Sequence, residues 1–180
     1  MNRLSLILCA LLFAGAAPNT PAPQDLVGQF YAAYLALPQK GGVPDAKSLA
    51  LLQPYLTSAL TAKLIEAEKA EQRYAKRTKG QVPPLIEGDL FSSLFEGASH
   101  LESTQCTSAG ETAHCTAALS YDDPASKQSV HWSDDIALLE TKTGWRIDDI
   151  AYGGTWEFMH KGHLTQILDE AIREADAPLN

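Results

Sequence analysis

The chain predicts an α+β domain: N-terminal helices packed on a curved four-stranded antiparallel sheet, with a closing C-terminal helix. Three observations lead there. Apolar residues of the front half recur at spacings of three and four. Between His100 and Tyr152 they alternate instead, in paired runs separated by Gly-containing turns. After His163 the helical spacing returns. A run of helices followed by a run of strands indicates α+β rather than alternating α/β architecture.

Taken in order, Asp25 to Leu37 places Leu26, Val27, Phe30, Tyr31, Tyr34 and Leu35 on one aromatic helix face. Pro38 to Pro44, with Gly41-Gly42, ends that helix. Asp45 or Ser48 caps a short second helix that Pro54 terminates, and Thr57 or Ser58 caps a third, Ala59 to Thr78. Leu60, Leu64, Ile65 and Ala67 face inward there, with Glu66–Lys69 and Lys63–Glu68 pairs outside. Lys79 to Ser99, broken by Gly80, Pro83-Pro84 and Gly88, reads as a long loop over the core mouth. It is a candidate lid with one helical turn at Leu90 to Phe95.

His100 to Tyr121 reads as a hairpin turning at Gly110-Glu111. Glycine first in a two-residue turn suits type II′ geometry and sets Cys106 opposite Cys115. Counting outward makes this a non-hydrogen-bonded pair, where opposing Cα atoms come closest, so a disulfide is expected. Ser129 to Tyr152 forms a second hairpin around Thr141-Lys142-Thr143-Gly144. Val130, Trp132, Asp134, Ile136 and Leu138 share one face of its first strand; Trp145, Ile147, Asp149 and Ala151 share one face of its second. Each face is apolar except for one aspartate. Gly153-Gly154 breaks the strand, and His163 to Glu174 closes the chain with Leu164, Ile167, Leu168, Ala171 and Ile172 inward.

The first residues read as an export signal. Met1-Asn2-Arg3 is a short positive region, Leu4 to Phe13 is too short to span a bilayer, and Ala14-Gly15-Ala16 suits a signal peptidase. Residues 1–16 are thus expected to be cleaved, 17–24 to form a proline-rich lead-in, and 25–176 to form one domain in a bacterial periplasm. Leu8 before Cys9 does not suit a lipobox. The formal charge of −8 becomes one unit more negative without Arg3, which argues against nucleic acid or anionic membrane as partners. The hydrophobic fraction of 45% and charged fraction of 20% are ordinary for a globular chain and imply neither disorder nor a membrane bundle.

A resemblance rests on Phe30-Tyr31-Ala32-Ala33-Tyr34, Pro54-Tyr55-Leu56-Thr57, Gly88-Asp89 and the strand Gly144 to Tyr152. Together they resemble the nuclear transport factor two-like (cystatin-like) α+β cone. More narrowly, they are similar to a family of small exported bacterial proteins known only as a domain of unknown function. The resemblance implies a pocket between sheet and helices, lined by Tyr31, Tyr34, Trp132, Trp145, Tyr152 and Trp156. Such cones host isomerases, dehydratases, binding modules and immunity proteins, so the fold leaves the function open.

Asp134 and Asp149 are the candidate catalytic residues: a carboxylate among aromatics can serve as a general base, with a tyrosine hydroxyl stabilising an oxyanion. Either aspartate can equally be a structural acceptor for backbone amides or pair with Arg146. Glu157, His160 and His163 fall at spacings of three, but Gly162 interrupts their helix, so no metal site is expected. No nucleophile elbow or phosphate loop occurs, and no cofactor is expected. The leading expectation is a non-catalytic periplasmic module that binds a small ligand or a protein. The alternatives are a cone-fold lyase or isomerase and an immunity-type protein that neutralises a basic toxin.

Overall fold

The computed structural model describes residues 21–37, 41–156 and 159–178. The expected leader, residues 17–20 of the lead-in, residues 38–40 of the loop after the first helix, and Glu157 lie outside them.

The chain is α+β. Helix α1, Pro23–Leu35, begins two residues before the sequence reading: proline is preset for the first helical turn. Leu26, Val27, Phe30, Tyr31 and Tyr34 are buried, whereas Leu35 is only half-buried. Asp45 caps α2, Ala46–Leu52, by accepting from the Ser48 N–H. After a 3₁₀ turn at Gln53–Tyr55, Thr57 caps α3, Ser58–Thr78, through the Leu60 N–H. Leu60, Leu64 and Ala67 face inward as expected, but Ile65 is 41% exposed. Lys69 pairs with Glu66 at 3.8 Å; Lys63, instead of meeting Glu68, bridges to Asp169 on the closing helix.

Four strands follow: β1 His100–Ala109, β2 Thr112–Asp122, β3 Ser129–Thr141 and β4 Gly144–Ala151. They pair antiparallel in sequence order and do not close into a barrel. The β1–β2 register matches the count outward from Gly110-Glu111, with Ala109 opposite Thr112 and Cys106 opposite Cys115. Gly110 takes φ +62 while Glu111 stays out of the left-handed region, as a type II′ turn requires. The two cysteines are disulfide-bonded with Cα atoms 4.0 Å apart. Helix α4, Leu164–Glu174, packs on α3 and β4, burying Leu164, Leu168 and Ala171. Phe30, Tyr31, Leu64, Leu119, Ile136, Ile147 and Ile150 belong to one core cluster between helices and sheet. Burying a side chain of that size contributes about 1.5–3 kcal/mol.

A bulge in β4 changes what the second hairpin presents. Ala137 pairs with Asp149 and Leu138 with Ile147, so Asp148 is an extra residue. The bulge reverses the phase of alternation beyond it. Ile150 joins the inner face opposite Ile136, and Asp149, expected beside Trp145 and Ile147, leaves it.

Candidate functional site

The segment 79–99 forms no helical turn at Leu90 to Phe95; it is a series of bends, and its middle is buried. Irregular backbone can be buried only if its polar groups find partners, and here they do. The Glu71 carboxylate accepts from the N–H groups of Leu85 and Ile86 at 3.1 and 2.7 Å. Asp89 folds back to accept from the Phe91 N–H at 2.7 Å, and its own N–H donates to the Phe95 carbonyl at 2.9 Å. Three tyrosines then hold the segment from the core side. Tyr31 donates to the Phe91 carbonyl at 3.0 Å, Tyr152 to the Leu90 carbonyl at 2.8 Å, and Tyr34 to the Asp89 carboxylate.

The segment therefore fills the chamber instead of covering it. The hydroxyls expected to face a ligand face the segment itself, two of them its backbone carbonyls and the third the Asp89 carboxylate. Around Tyr34, Asp89 and Phe91 there remains a cavity of about 20 Å³, against roughly 300–1,000 Å³ for small-molecule sites. Burial pushes the Tyr31 and Tyr152 phenols well above the ordinary value. Burial, then the adjacent Asp89 carboxylate, does the same to Tyr34. Such phenols are poor proton donors at neutral pH.

Asp134 is 1% exposed and sits where the segment meets the sheet. Oδ2 accepts from the Ser93 N–H at 2.9 Å and from Trp132 Nε1 at 3.0 Å. Oδ1 accepts from the Ser93 hydroxyl and from the Gly153 N–H at 2.9 Å. A carboxylate has about four acceptor positions, and donors of the protein occupy all four. Ser93 is itself saturated: its Oγ accepts from the Gly154 N–H at 3.1 Å and its carbonyl from the His160 N–H at 3.2 Å. Glycine is required at 153, since a Cβ there would lie 2.2 Å from the Ser133 carbonyl oxygen.

Asp149 serves a different junction. It accepts from the Thr165 N–H and hydroxyl at 3.0 and 2.9 Å and from its neighbour Ile150 at 2.9 Å. His163 Nδ1 lies 3.3 Å away. Asp149 thus ties β4 to the N-terminal turn of α4, where a carboxylate meets free amides and the positive end of the helix dipole. Neither aspartate pairs with Arg146, which donates to the Trp145 carbonyl and the Thr143 hydroxyl.

Of the six expected lining residues, Trp132 and Trp156 meet edge to face at 5.9 Å, beside Asp134. Tyr31, Tyr34 and Tyr152 gather on the buried segment, and Trp145 stands apart at the β3–β4 turn, opposite Glu140. His160 stacks obliquely on Tyr152 at 5.4 Å, and burial lowers its pKa. His163 belongs to the α4 junction, and among the described residues no group of three or more His, Cys, Asp or Glu is placed to hold a metal. Ser93, Asp89 and Glu71 carry no role in the sequence pattern, although Gly88-Asp89 is part of the resemblance; the one available signal was that polar residues interrupt an apolar stretch with no helical or strand period.

No known family model, curated protein or solved structure matches this chain.

Proposed function

We propose that the chain is an exported, non-catalytic module that binds a protein partner, and that it is a member of the exported cone-fold family its sequence resembles. The observation that carries the non-catalytic reading is the saturation of Asp134: four protein donors occupy a carboxylate that would otherwise be the general base. To take a proton from a substrate it would have to release Ser93, Gly153 or Trp132 and break the junction between the buried segment and the sheet. The chamber that a small ligand would enter holds residues 86–98 instead, which favours a partner met on the surface. The Cys106–Cys115 disulfide is compatible with an oxidising compartment. The Ala14-Gly15-Ala16 stretch supports cleavage after Ala16.

Native mass spectrometry of the protein purified from the compartment that holds it tests the reading. The expected species begins at Ala17, carries the disulfide, and forms a stoichiometric complex with a polypeptide. A retained small molecule, or an intact leader, contradicts it.

A further inference from the structure

The two edges of the sheet are treated differently. Beside β4, Leu56 bridges to Ile147 and His163 to Ala151, so that edge is covered. Beside β1, no bridge lies on the outer side among the described residues. Pairing of Ala109 with Thr112 turns the backbone groups of residues 109, 107 and 105 toward β2. Thr104, Cys106 and Ser108 consequently direct their N–H and C=O groups outward, three donors and three acceptors repeating every ~7 Å.

Long free edges are usually blunted by lysine, proline or a bulge. From Ser103 to Ala109 there is neither lysine nor proline, and the β1 bulge falls earlier, between Leu101 and Ser103. The disulfide ties the middle of the edge to β2, so the strand is held in a paired geometry before anything docks.

Charge says what fits. Helix α1, which packs on β1 and β2, and both of those strands with their turn contain Asp25, Glu102, Glu111 and Asp122 and no lysine or arginine. The flank's two histidines, His100 and His114, lie against Asp122 and Asp135 at 2.9 and 2.8 Å, and His131 of β3 lies against Glu102 at 2.9 Å. The only cationic groups that reach the flank's carboxylates in these pairs are therefore imidazoles. Lys63, Lys69, Arg73, Lys76 and Arg77 are all on α3. An anionic edge disfavours a second copy of itself and favours a cationic strand.

We infer that the outer edge of β1 accepts an extended, Lys- or Arg-bearing segment of the partner polypeptide as a fifth strand. Thr104, Cys106 and Ser108 supply the backbone pairing, and Glu102 and Glu111 the charge. The inference rests on the protein-binding reading above and names its surface.

The test uses the oxidised, folded chain and two synthetic peptides of about ten residues, alternating valine with lysine or valine with glutamate. Amide shifts at Thr104, Cys106 and Ser108 are expected with the lysine peptide and not with the glutamate peptide, weakening as salt rises. Thr104→Pro removes an outward donor and no ladder bond, and is expected to weaken binding about tenfold or more, about 1.4 kcal/mol. The double charge reversal E102K/E111K, on exposed positions, is expected to invert the peptide preference. Equal binding of both peptides, no binding of either, indifference to Thr104→Pro and to the charge reversal, or edge-to-edge pairing of the chain with itself in sedimentation would each overturn the inference. A native partner that stays bound to Thr104→Pro removes the edge but leaves the protein-binding reading standing; the absence of any protein partner removes the reading itself.

Discussion

Ser93 gives both of its donors to Asp134, the N–H at 2.9 Å to one carboxylate oxygen and the hydroxyl to the other. Forty-one residues separate the two in sequence, so this contact closes the irregular middle of the chain onto the sheet. It also explains how an acidic side chain is tolerated on an inner sheet face: burial of a polar group is costly only where its hydrogen bonds are left unmade.

Asp134→Asn keeps the shape but points an amide NH₂ at donors. A loss of about 2–4 kcal/mol is expected in urea unfolding, with Ser93→Ala costing about 1–2 kcal/mol. Because the two act on one contact, the double variant should lose less than the sum. Full additivity would show that they do not work as a unit.

The tyrosines set an alkaline limit. Tyr31, Tyr34 and Tyr152 are held protonated above the usual phenol range by burial. The unfolded chain releases those protons near pH 10, so the stability they contribute is full below that pH and is lost as pH rises through it. Their phenolate absorbance is expected to appear together with the loss of far-ultraviolet dichroism, and not before it.

His160 sets an acid one. Burial lowers its folded pKa, while the unfolded chain takes up a proton near 6.5. Stability is therefore full above about pH 6.5 and falls as pH drops from there toward the lower folded value. His160→Gln should flatten that part of the profile relative to the parent, measured by denaturant midpoint.

Glycines 153 and 110 separate two kinds of constraint. Gly153→Ala would drive a Cβ into the Ser133 carbonyl and is expected to cost more than about 3 kcal/mol. Gly110→Ala meets nothing within 4 Å and suffers only its left-handed φ of +62, about 1–2 kcal/mol. Thermal melts of the two variants should rank them in that order.

The first hairpin was legible to the residue because a glycine fixes its turn and period-two pairing propagates from there to Cys106 and Cys115. The same rule misplaced Asp149, since one bulge residue, Asp148, reverses every side chain beyond it and leaves no mark in the alternation. Asp134 was correctly placed on the inner face, but its partners were not visible. Ser93 and Gly153 reach it through tertiary closure, and nothing local announces that. The segment 79–99 looked like a lid because its sequence has no period. What buries it is a set of acceptors and hydroxyls, Glu71, Tyr31, Tyr34, Tyr152 and Asp134, scattered over α3, α1, β3 and the residue that follows β4.

The central claim is that residues 86–98 are a permanent part of the core, latched by Asp134, and not a door to a ligand chamber. Native-state hydrogen exchange of the Phe91, Ser93 and Gly153 amides tests it most directly. Exchange of all three only through global unfolding, with the same denaturant dependence as Ile136 in β3, is the expected result. Fast exchange of Phe91 and Ser93 through a local opening, while Ile136 stays protected, would contradict it and restore the lid.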